Sequence, residues 1–327
     1  MSELLEVRNL TVTFETDRGL VRAVDGVSFD LSAGETLGLV GESGCGKTVT
    51  ALSLLKLIQE PPGHVAPQSE IRFEDLNILD LRGENLRKIR GAKIAMIFQD
   101  PASSLNPVMT IGAQIAETIR AHESVSKAEA RSRSIDLLAR VGIPDPDDRF
   151  KSYAHQLSGG MLQRVMIAIA LSCKPSILVA DEPTTALDVT VQAQILELLG
   201  ELQQEFDMSL ILITHDLGVV AETADRVIVM YAGQVVEEAA TTEIFSDPAH
   251  PYTQGLLDSM PRIDRPGTAI SAIPGVVPPA TNWPAGCRFH PRCSHFWNQC
   301  LEEPSLDALP ANRSVRCWLY HDLQEDN

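Results

Sequence analysis

The stretch that decides the fold is GESGCGKT, residues 41–48. It matches the phosphate-binding loop pattern Gly-x-x-x-x-Gly-Lys-Thr. The preceding apolar run, residues 37–40, is typical of a buried strand, and apolar side chains then recur on one helical face, at Val49, Leu52, Leu55 and Ile58. Because the pattern stands between a strand and a helix, it predicts a nucleotide-phosphate site in an α/β fold.

Each residue type in this loop suits phosphate binding. Glycines allow the backbone to bend so that successive N–H groups converge on the β-phosphate, and the next helix adds its positive N-terminal end. The lysine is expected to reach the β- and γ-phosphates, and the threonine hydroxyl to ligate Mg²⁺. The residues predicted to bind the nucleotide are Ser43, Gly44, Cys45, Gly46, Lys47 and Thr48.

Three later strand patterns end in polar residues. Gln99 follows one apolar run, Asp181 and Glu182 follow a second, and His215 follows a third. Because α/β folds place ligand contacts at the carboxyl ends of their strands, these residues are candidates for one site. Asp181 is predicted to hold Mg²⁺, Glu182 to orient or deprotonate the attacking water, and His215 to bond the γ-phosphate. Gln99 is predicted to reach the metal or the water. Each alone is also typical of a capped strand end or a solvated turn.

A second glycine-containing helix start lies at residues 157–164, LSGGMLQR. Its exposed N–H groups form another potential phosphate site. The alternative is a plain helix cap by Ser158. One chain rarely needs two such sites for one nucleotide, so the second is expected to serve a neighbouring subunit's nucleotide.

The order of patterns along the chain predicts the architecture. Strands alternate with helices, which indicates a mainly parallel central sheet with right-handed crossovers. Short apolar segments in residues 4–36 predict an antiparallel β subdomain, and residues from about 101 to 165 predict a helical insertion. Phe14, on an early strand, is expected either to stack on a nucleotide base or to pack in the core.

The composition of the chain disfavours some classes of protein. A net charge of −17 disfavours a nucleic-acid-binding surface, which normally carries a basic field. The N-terminal residues do not resemble a secretory signal, and no apolar stretch approaches the length of a membrane helix. We therefore expect a cytoplasmic protein whose association with a membrane depends on a partner.

Four of the six cysteines lie in the last 41 residues, after a proline-rich segment that begins near Pro261. A reducing cytoplasm disfavours disulfides and favours a metal. Four thiolates suit an iron–sulfur cluster or zinc, but paired C-x2-C spacings typical of zinc ribbons are absent. A [4Fe–4S] cluster, a zinc site with His290 or His295 as substitute ligands, and unligated cysteines all remain open. The four are Cys287, Cys293, Cys300 and Cys317.

Taken together, these motifs resemble the full motif set of an ABC-transporter ATPase subunit over about residues 4–260. The resemblance implies a P-loop NTPase (RecA-like) core that hydrolyses ATP with Mg²⁺. It implies that Phe14 stacks on adenine, that Gln99 belongs to the lid loop facing the permease, and that His215 is the switch histidine. Glu182 is then the catalytic carboxylate.

The second glycine motif is similar to the signature of these ATPases, which binds the ATP of the opposite subunit through Ser158 and Gly160. Met161 departs from the commoner LSGGQ, so any side-chain contact from that position is in doubt. Residues 186–188 resemble the loop that signals between the two ATP sites through Asp188.

The segments HPYTQGLL and GCRFHPRC, within residues 248–293, are similar to the C-terminal extension of ATPases from dipeptide, oligopeptide and related nickel importers. The dipeptide type also carries LSGGM. We accordingly predict an ATP-binding domain at residues 1–260 and an extension at 261–327. The family extension is associated with a [4Fe–4S] cluster.

The resemblance also implies the partners and the location. They are two membrane permeases, a second ATPase subunit that is either a paralogue or another copy, and an extracytoplasmic peptide-binding protein acting indirectly. The chain would lie peripherally on the cytoplasmic face of the membrane. The alternatives are an importer ATPase for nickel or another small solute, and a soluble ABC ATPase acting on nucleic acid or ribosomes. A metal scaffold whose cassette only binds nucleotide, and an exporter, are less consistent with the residues.

Overall fold

The computed structural model describes residues 3–185, 187–260 and 272–324. Ala186 and the beginning of the predicted extension, residues 261–271, lie outside the described residues. The chain separates into two compact units, each with its own internal contacts. The first unit comprises the described parts of residues 1–32, 36–79 and 214–327, and the second comprises residues 33–35 and 80–213.

The first unit contains two groups of strands and four short helices. Its strands are β1 Glu3–Thr16, β2 Gly19–Ser32, β3 Thr36–Val40, β4 Gly63–Val65, β5 Glu70–Phe73, β6 Leu76–Asn77, β10 Arg226–Tyr231, β11 Gln234–Ala240, β12 Asp307–Leu309 and β13 Arg313–Val315. Its helices are α1 Lys47–Leu54, α9 Leu217–Thr223, α10 Thr241–Ser246 and α11 Pro251–Asp258. Short 3-10 helices lie at Ile78–Asp80, at the junction with the second unit, and at His290–Arg292, Asn298–Leu301 and Trp318–Gln324.

An antiparallel sheet with the order β2-β1-β5-β6 forms the N-terminal part of the first unit, and β4 also pairs with β1. Apolar side chains alternate along β1, so that Leu5, Val7, Leu10 and Val12 are all fully buried. The sequence predicted several short segments here. They instead form two 14-residue strands, because cross-strand pairing continues from Glu3 to the tight turn after Thr16.

The second group of strands in the first unit has the order β12-β13-β11-β10-β3. β10 runs parallel to β3, and β11 is antiparallel to β10. β13, from the extension, pairs with β11 through Glu237 opposite Val315. The extension was predicted to be loop-rich, but it also supplies these short strands. The division at residue 260 remains a prediction.

The second unit combines three parallel strands with helices. Its strands are β7 Ile94–Ile97, β8 Ile177–Asp181 and β9 Ser209–Thr214. They lie in the order β9-β8-β7, and every residue of β8 and β9 is buried. Such uninterrupted burial explains the continuous apolar runs in the sequence. Its helices are α2 Gly83–Ile89, α3 Pro101–Ser104, α4 Ile111–His122, α5 Lys127–Arg140, α6 Pro146–Arg149, α7 Gly159–Leu171 and α8 Val189–Phe206, with a 3-10 turn at Ala154–Gln156.

Several helices of the second unit begin at a residue whose side chain caps the helix. The side chains of Thr110, Ser126, Ser158 and Asp188 each accept a hydrogen bond from a first-turn N–H group. The helical region predicted for about residues 101–165 is observed as α3 to α7. In the part of the chain that the structure describes, no helix is both long enough and apolar enough to span a bilayer.

Candidate active site

The phosphate loop lies in the first unit between β3 and α1, as the sequence predicts. Gly41, Gly44 and Gly46 all have positive φ angles, of 150°, 81° and 106°. At Gly46 a Cβ atom would lie 2.5 Å from the carbonyl oxygen of Ala23. Glycine is therefore required at this position for both conformation and space.

Lys47 is the first residue of α1, and it is only 5% exposed. Its Nζ donates to the carbonyl oxygens of Gly41, at 2.7 Å, and Glu42, at 3.1 Å. Cys45, also buried, has its Sγ 3.8 Å from the same Nζ. Burial raises the pKa of the Cys45 thiol, so it is neutral at physiological pH. The ammonium group is thus the positive charge held within the loop, while Thr48 is exposed.

Asp181 and Glu182 lie at the end of β8 in the second unit. Asp181 is 2% exposed, and Glu182 has the left-handed φ of 47°. The Glu182 carboxylate oxygen Oε2 accepts hydrogen bonds from Gln99 Nε2, at 2.9 Å, and from the Thr185 hydroxyl, at 2.8 Å. The structure therefore brings together two residues that the sequence could only place separately, Gln99 and Glu182. Strained non-glycine backbone of this kind is concentrated at functional sites.

The second glycine motif begins α7, and its serine caps the helix. The Ser158 hydroxyl accepts from the Met161 N–H at 3.4 Å. A Cβ at Gly160 would lie 2.9 Å from a methyl group of Val191, and one at Gly159 would contact Leu187. Ser158 thus caps α7, as the capping interpretation predicted. Ser158 is also exposed at the surface, and Gly160 is half-buried. Asp188, which caps α8 through the Val191 N–H, lies beside this motif.

Two other candidates lie in the first unit. His215, exposed, follows β9. Phe14 is half-buried on β1, where its register partners are Val21 and Gly63, and its ring packs over Gly63. Phe14 therefore packs against β4 in this structure, and its stacking on adenine stays a prediction.

Sequence reasoning missed three residues that contact these motifs. Thr185 binds Glu182, as described, and Arg292 and Tyr252 both bind Glu42 of the phosphate loop. Tyr252 and Arg292 lie in the segments HPYTQGLL and GCRFHPRC, which indicated only the family resemblance. Neither segment shows by itself that its residue contacts a loop more than 200 residues earlier in the chain.

The four cysteines of the extension are drawn together by the fold. Burial is the main cause that raises the pKa of Cys287 to about 11 and that of Cys317 to about 12, and the nearby cysteines contribute in the same direction. Cys293 shows the same direction for the same reasons, with Cys300 as the neighbour. Mutual influence of this kind requires proximity, so the cysteines share one region. Their raised pKa values keep the thiols of Cys287, Cys293 and Cys317 protonated at neutral pH.

Although the four cysteines share one region, their side chains are not arranged as a metal site. Among the described residues, no group of three or more histidine, cysteine, aspartate or glutamate side chains is arranged to hold one. Four soft thiol donors fit iron–sulfur chemistry by type, but this arrangement gives no support to zinc or to a preformed cluster.

Comparison with known proteins defines the class of this chain. Residues 24–185 match the family model for ABC transporters, and residues 236–300 match the C-terminal region of oligopeptide/dipeptide transporters. Among solved structures, the ATP-binding cassette MJ0796 in a dimeric, ADP- and phosphate-bound form has a TM-score of 0.65 at 28% identity, covering 72% of this chain and 98% of that one. The cassette cbiO1 from Clostridium perfringens has a TM-score of 0.63.

Full-length relatives narrow the class. The oligopeptide transport ATP-binding protein AppD of Bacillus subtilis is 53% identical over 98% of both chains. The dipeptide transport ATP-binding protein DppD of Haemophilus influenzae is 50% identical over 96% of this chain and 94% of its own. The chain therefore belongs to the ATP-binding subunits of the oligopeptide/dipeptide ABC importer family, and it is an ABC-type ATPase.

Proposed function

We propose that this ATPase powers the import of dipeptides or oligopeptides. The observation that carries the proposal is the 53% identity with an oligopeptide transport ATP-binding protein over nearly the whole chain. The match of residues 236–300 to the oligopeptide/dipeptide C-terminal region supports it independently of the cassette. The relatives described above are named as oligopeptide and dipeptide transport proteins, which favours peptides over nickel. A net charge of −17 is unfavourable for action on nucleic acid.

Nucleotide binding is assigned to the phosphate loop of the first unit. The N–H groups of residues 43–48 would hold the phosphates, and Lys47 would neutralise their charge. Thr48, through its hydroxyl, and Asp181 are the residues that would hold Mg²⁺, which would neutralise phosphate charge. The buried, fixed position of the Lys47 ammonium supports this role, since it places a charge without rotational freedom beside the loop.

Hydrolysis is assigned to Glu182, which directs the attacking water. Its carboxylate is held by Gln99 and Thr185, so the acceptor that would receive the water's proton is oriented before the reaction. Gln99 would reach Mg²⁺ or the attacking water, and His215 would bond the γ-phosphate. Catalysis is then positioning and electrostatic stabilisation.

A dimer completes the site. Ser158 and Gly160 of one subunit contact the γ-phosphate of the ATP held by the other, and Asp188 connects the two sites. The partner is a paralogous ATPase or a second copy, placed beneath two permeases on the cytoplasmic face of the membrane and supplied by an extracytoplasmic peptide-binding protein.

Uptake by a deletion strain tests the substrate. Loss of this chain should abolish uptake of radiolabelled di- or oligopeptides and leave radiolabelled nickel uptake unchanged, and the Glu182→Gln variant should not restore it. Loss of nickel uptake with normal peptide uptake would overturn the peptide assignment while leaving the ATPase intact.

For the extension we propose a [4Fe–4S] cluster on Cys287, Cys293, Cys300 and Cys317. The proposal rests on the chemistry of four soft thiol donors within one short segment that has little apolar core, which such a cluster would stabilise. Anaerobically purified chain should contain about four irons and four sulfides. Cys300→Ser should lose them, whereas Cys173→Ser, outside the extension, should not. Stoichiometric zinc, or neither metal, would contradict the cluster.

A further inference from the structure

The phosphate loop carries an acidic residue that is not part of its binding pattern. Glu42 follows the first glycine, and its side chain is 30% exposed. Both carboxylate oxygens are bound by one guanidinium: Arg292 Nη1 lies 2.6 Å from Oε2, and Arg292 Nη2 lies 3.1 Å from Oε1. This two-point geometry is the strongest form of a side-chain ion pair. It joins the extension to the phosphate loop within the first unit.

Arg292 is fixed independently of Glu42. Its side chain is 4% exposed, and its Nε donates to the Pro274 carbonyl at 2.9 Å. Its guanidinium lies over the rings of Tyr231 and Phe289, with distances of 5.7 and 5.9 Å to the ring centroids. Because Pro274 and two aromatic rings hold the Arg292 guanidinium in place, Arg292 fixes the position of the Glu42 carboxylate that it binds.

The backbone of Glu42 is held as well. Its N–H donates to the Tyr252 hydroxyl at 2.8 Å, and its carbonyl accepts from Lys47. Tyr231, Tyr252 and Phe289 contact one another, with centroid distances of 4.6 to 5.4 Å. The first variable residue of the loop is thus fixed by α11, β10 and the extension together.

The charges of Arg292 and Glu42 make their contact important for nucleotide binding. A carboxylate in a loop that holds the polyanionic phosphates of ATP opposes binding unless a cation neutralises it. A free Glu42 side chain would also leave the start of the loop held by its backbone contacts alone. We propose that Arg292 is a positioning residue for ATP binding: by pairing with Glu42 it neutralises the acidic side chain of the phosphate loop and holds the loop in its phosphate-binding conformation.

Binding of a fluorescent ATP analogue, MANT-ATP, to the full-length chain tests the proposal together with steady-state ATPase kinetics. Arg292→Met should raise the Kd and the KM on the order of tenfold, because a two-point charge-assisted pair is lost. The value of kcat should change far less, since Glu182 and Gln99 are untouched. Arg292→Lys keeps the charge but not the two-point geometry, so its Kd should be intermediate. If Arg292→Met does not fold, the Kd of Arg292→Lys is used to test the proposal instead.

Two comparisons separate positioning from general stability. Arg313→Met removes the ion pairs of Arg313 with Asp247, Glu243 and Glu237, none of which is in the phosphate loop, and its Kd should equal that of the wild type. In the double variant Arg292→Met with Glu42→Gln, the repelling charge is gone, so much of the lost affinity should return. An unchanged Kd in folded Arg292→Met, equal weakening by Arg313→Met, or losses that simply add in the double variant would each overturn the proposal.

Discussion

At the scale of single residues, the position of Glu182 is the feature most directly related to hydrolysis. Its backbone has a left-handed φ of 47°, which is unfavourable for a non-glycine residue, and its carboxylate is held by two side chains. The backbone conformation costs about 1–3 kcal/mol. The sequence indicated the carboxylate from its place after a buried strand, but only the structure shows that Gln99 orients it.

Glu182→Gln should remove the proton acceptor while preserving the shape of the side chain. We expect kcat to fall roughly 10²- to 10⁴-fold, the usual contribution of a general base, with ATP affinity nearly unchanged. Phosphate release measures the turnover, and size-exclusion chromatography with ATP should show the closed dimer accumulating. Wild-type turnover in this variant would contradict the role of Glu182.

Lys47→Ala should act on binding instead. The buried ammonium that neutralises the phosphates is lost, and the carbonyls of Gly41 and Glu42 lose their donor. We expect at least about a tenfold rise in the Kd for MANT-ATP, measured by titration. The thermal unfolding midpoint serves as the folding control. Normal affinity with a normal midpoint would exclude Lys47 from the phosphate site.

At the scale of elements, the junction between β3 and α1 depends on glycine for two separable reasons. Gly44 and Gly46 both have positive φ, but a Cβ at Gly44 meets nothing, whereas one at Gly46 meets the Ala23 carbonyl oxygen at 2.5 Å. Gly44 is therefore required only for its backbone conformation. Gly46 is required for its conformation and also because a side chain there would collide with β2.

Gly44→Ala should therefore cost roughly 1–2 kcal/mol, the strain of a left-handed alanine. Gly46→Ala should cost clearly more, because the loop must move away from Ala23. Thermal unfolding and MANT-ATP binding, measured side by side, check the order. Equal effects of the two substitutions would show that the contact with the Ala23 carbonyl has no energetic importance.

At the scale of the whole molecule, the extension is connected to the cassette through buried polar groups. The carboxylate of Glu237, on β11, accepts from the N–H groups of Ala249, at 2.7 Å, and His250, at 2.8 Å, while burial raises its pKa. The ring of His250 accepts from the Tyr252 N–H at 3.0 Å and packs against Phe289 of the extension. The histidine-proline-tyrosine segment is therefore a structural junction.

His250 should make folding sensitive to mild acid. Burial, with the positive charge of Arg316 nearby, lowers the pKa of His250 from 6.5 to about 3. A lowered pKa contributes stability above about pH 6.5, which is lost as the pH falls from 6.5 toward 3, by up to about 1.4 kcal/mol per pH unit. The unfolding midpoint should drop between pH 7.5 and 5.5.

His250→Asn is the matched variant, since its side-chain oxygen can accept the same N–H bond but does not titrate in this range. Its midpoint should vary less with pH than that of the wild type. The raised pKa of Glu237 acts with the opposite sign, but it is common to both proteins and cancels in the comparison. Identical pH profiles would show that His250 does not remain neutral.

Much of the architecture could be predicted because its signals are local. The helical pattern at residues 127–140 is observed as α5, and the apolar run from Ile177 is observed as β8. The strands β12 and β13 could not be predicted. Each has three residues, and they form strands only because β11 offers an edge for pairing.

The sequence by itself determined the phosphate loop, the order of strands and helices, the acidic pair at the end of β8, and the family. Each depends on neighbouring residues or on motif spacing. The tertiary structure alone decided which distant side chains meet: Gln99 with Glu182, and Arg292 with Glu42, 250 residues apart. The physical reason is that such pairs are selected by packing of the folded chain, which leaves no periodic or local trace in the sequence.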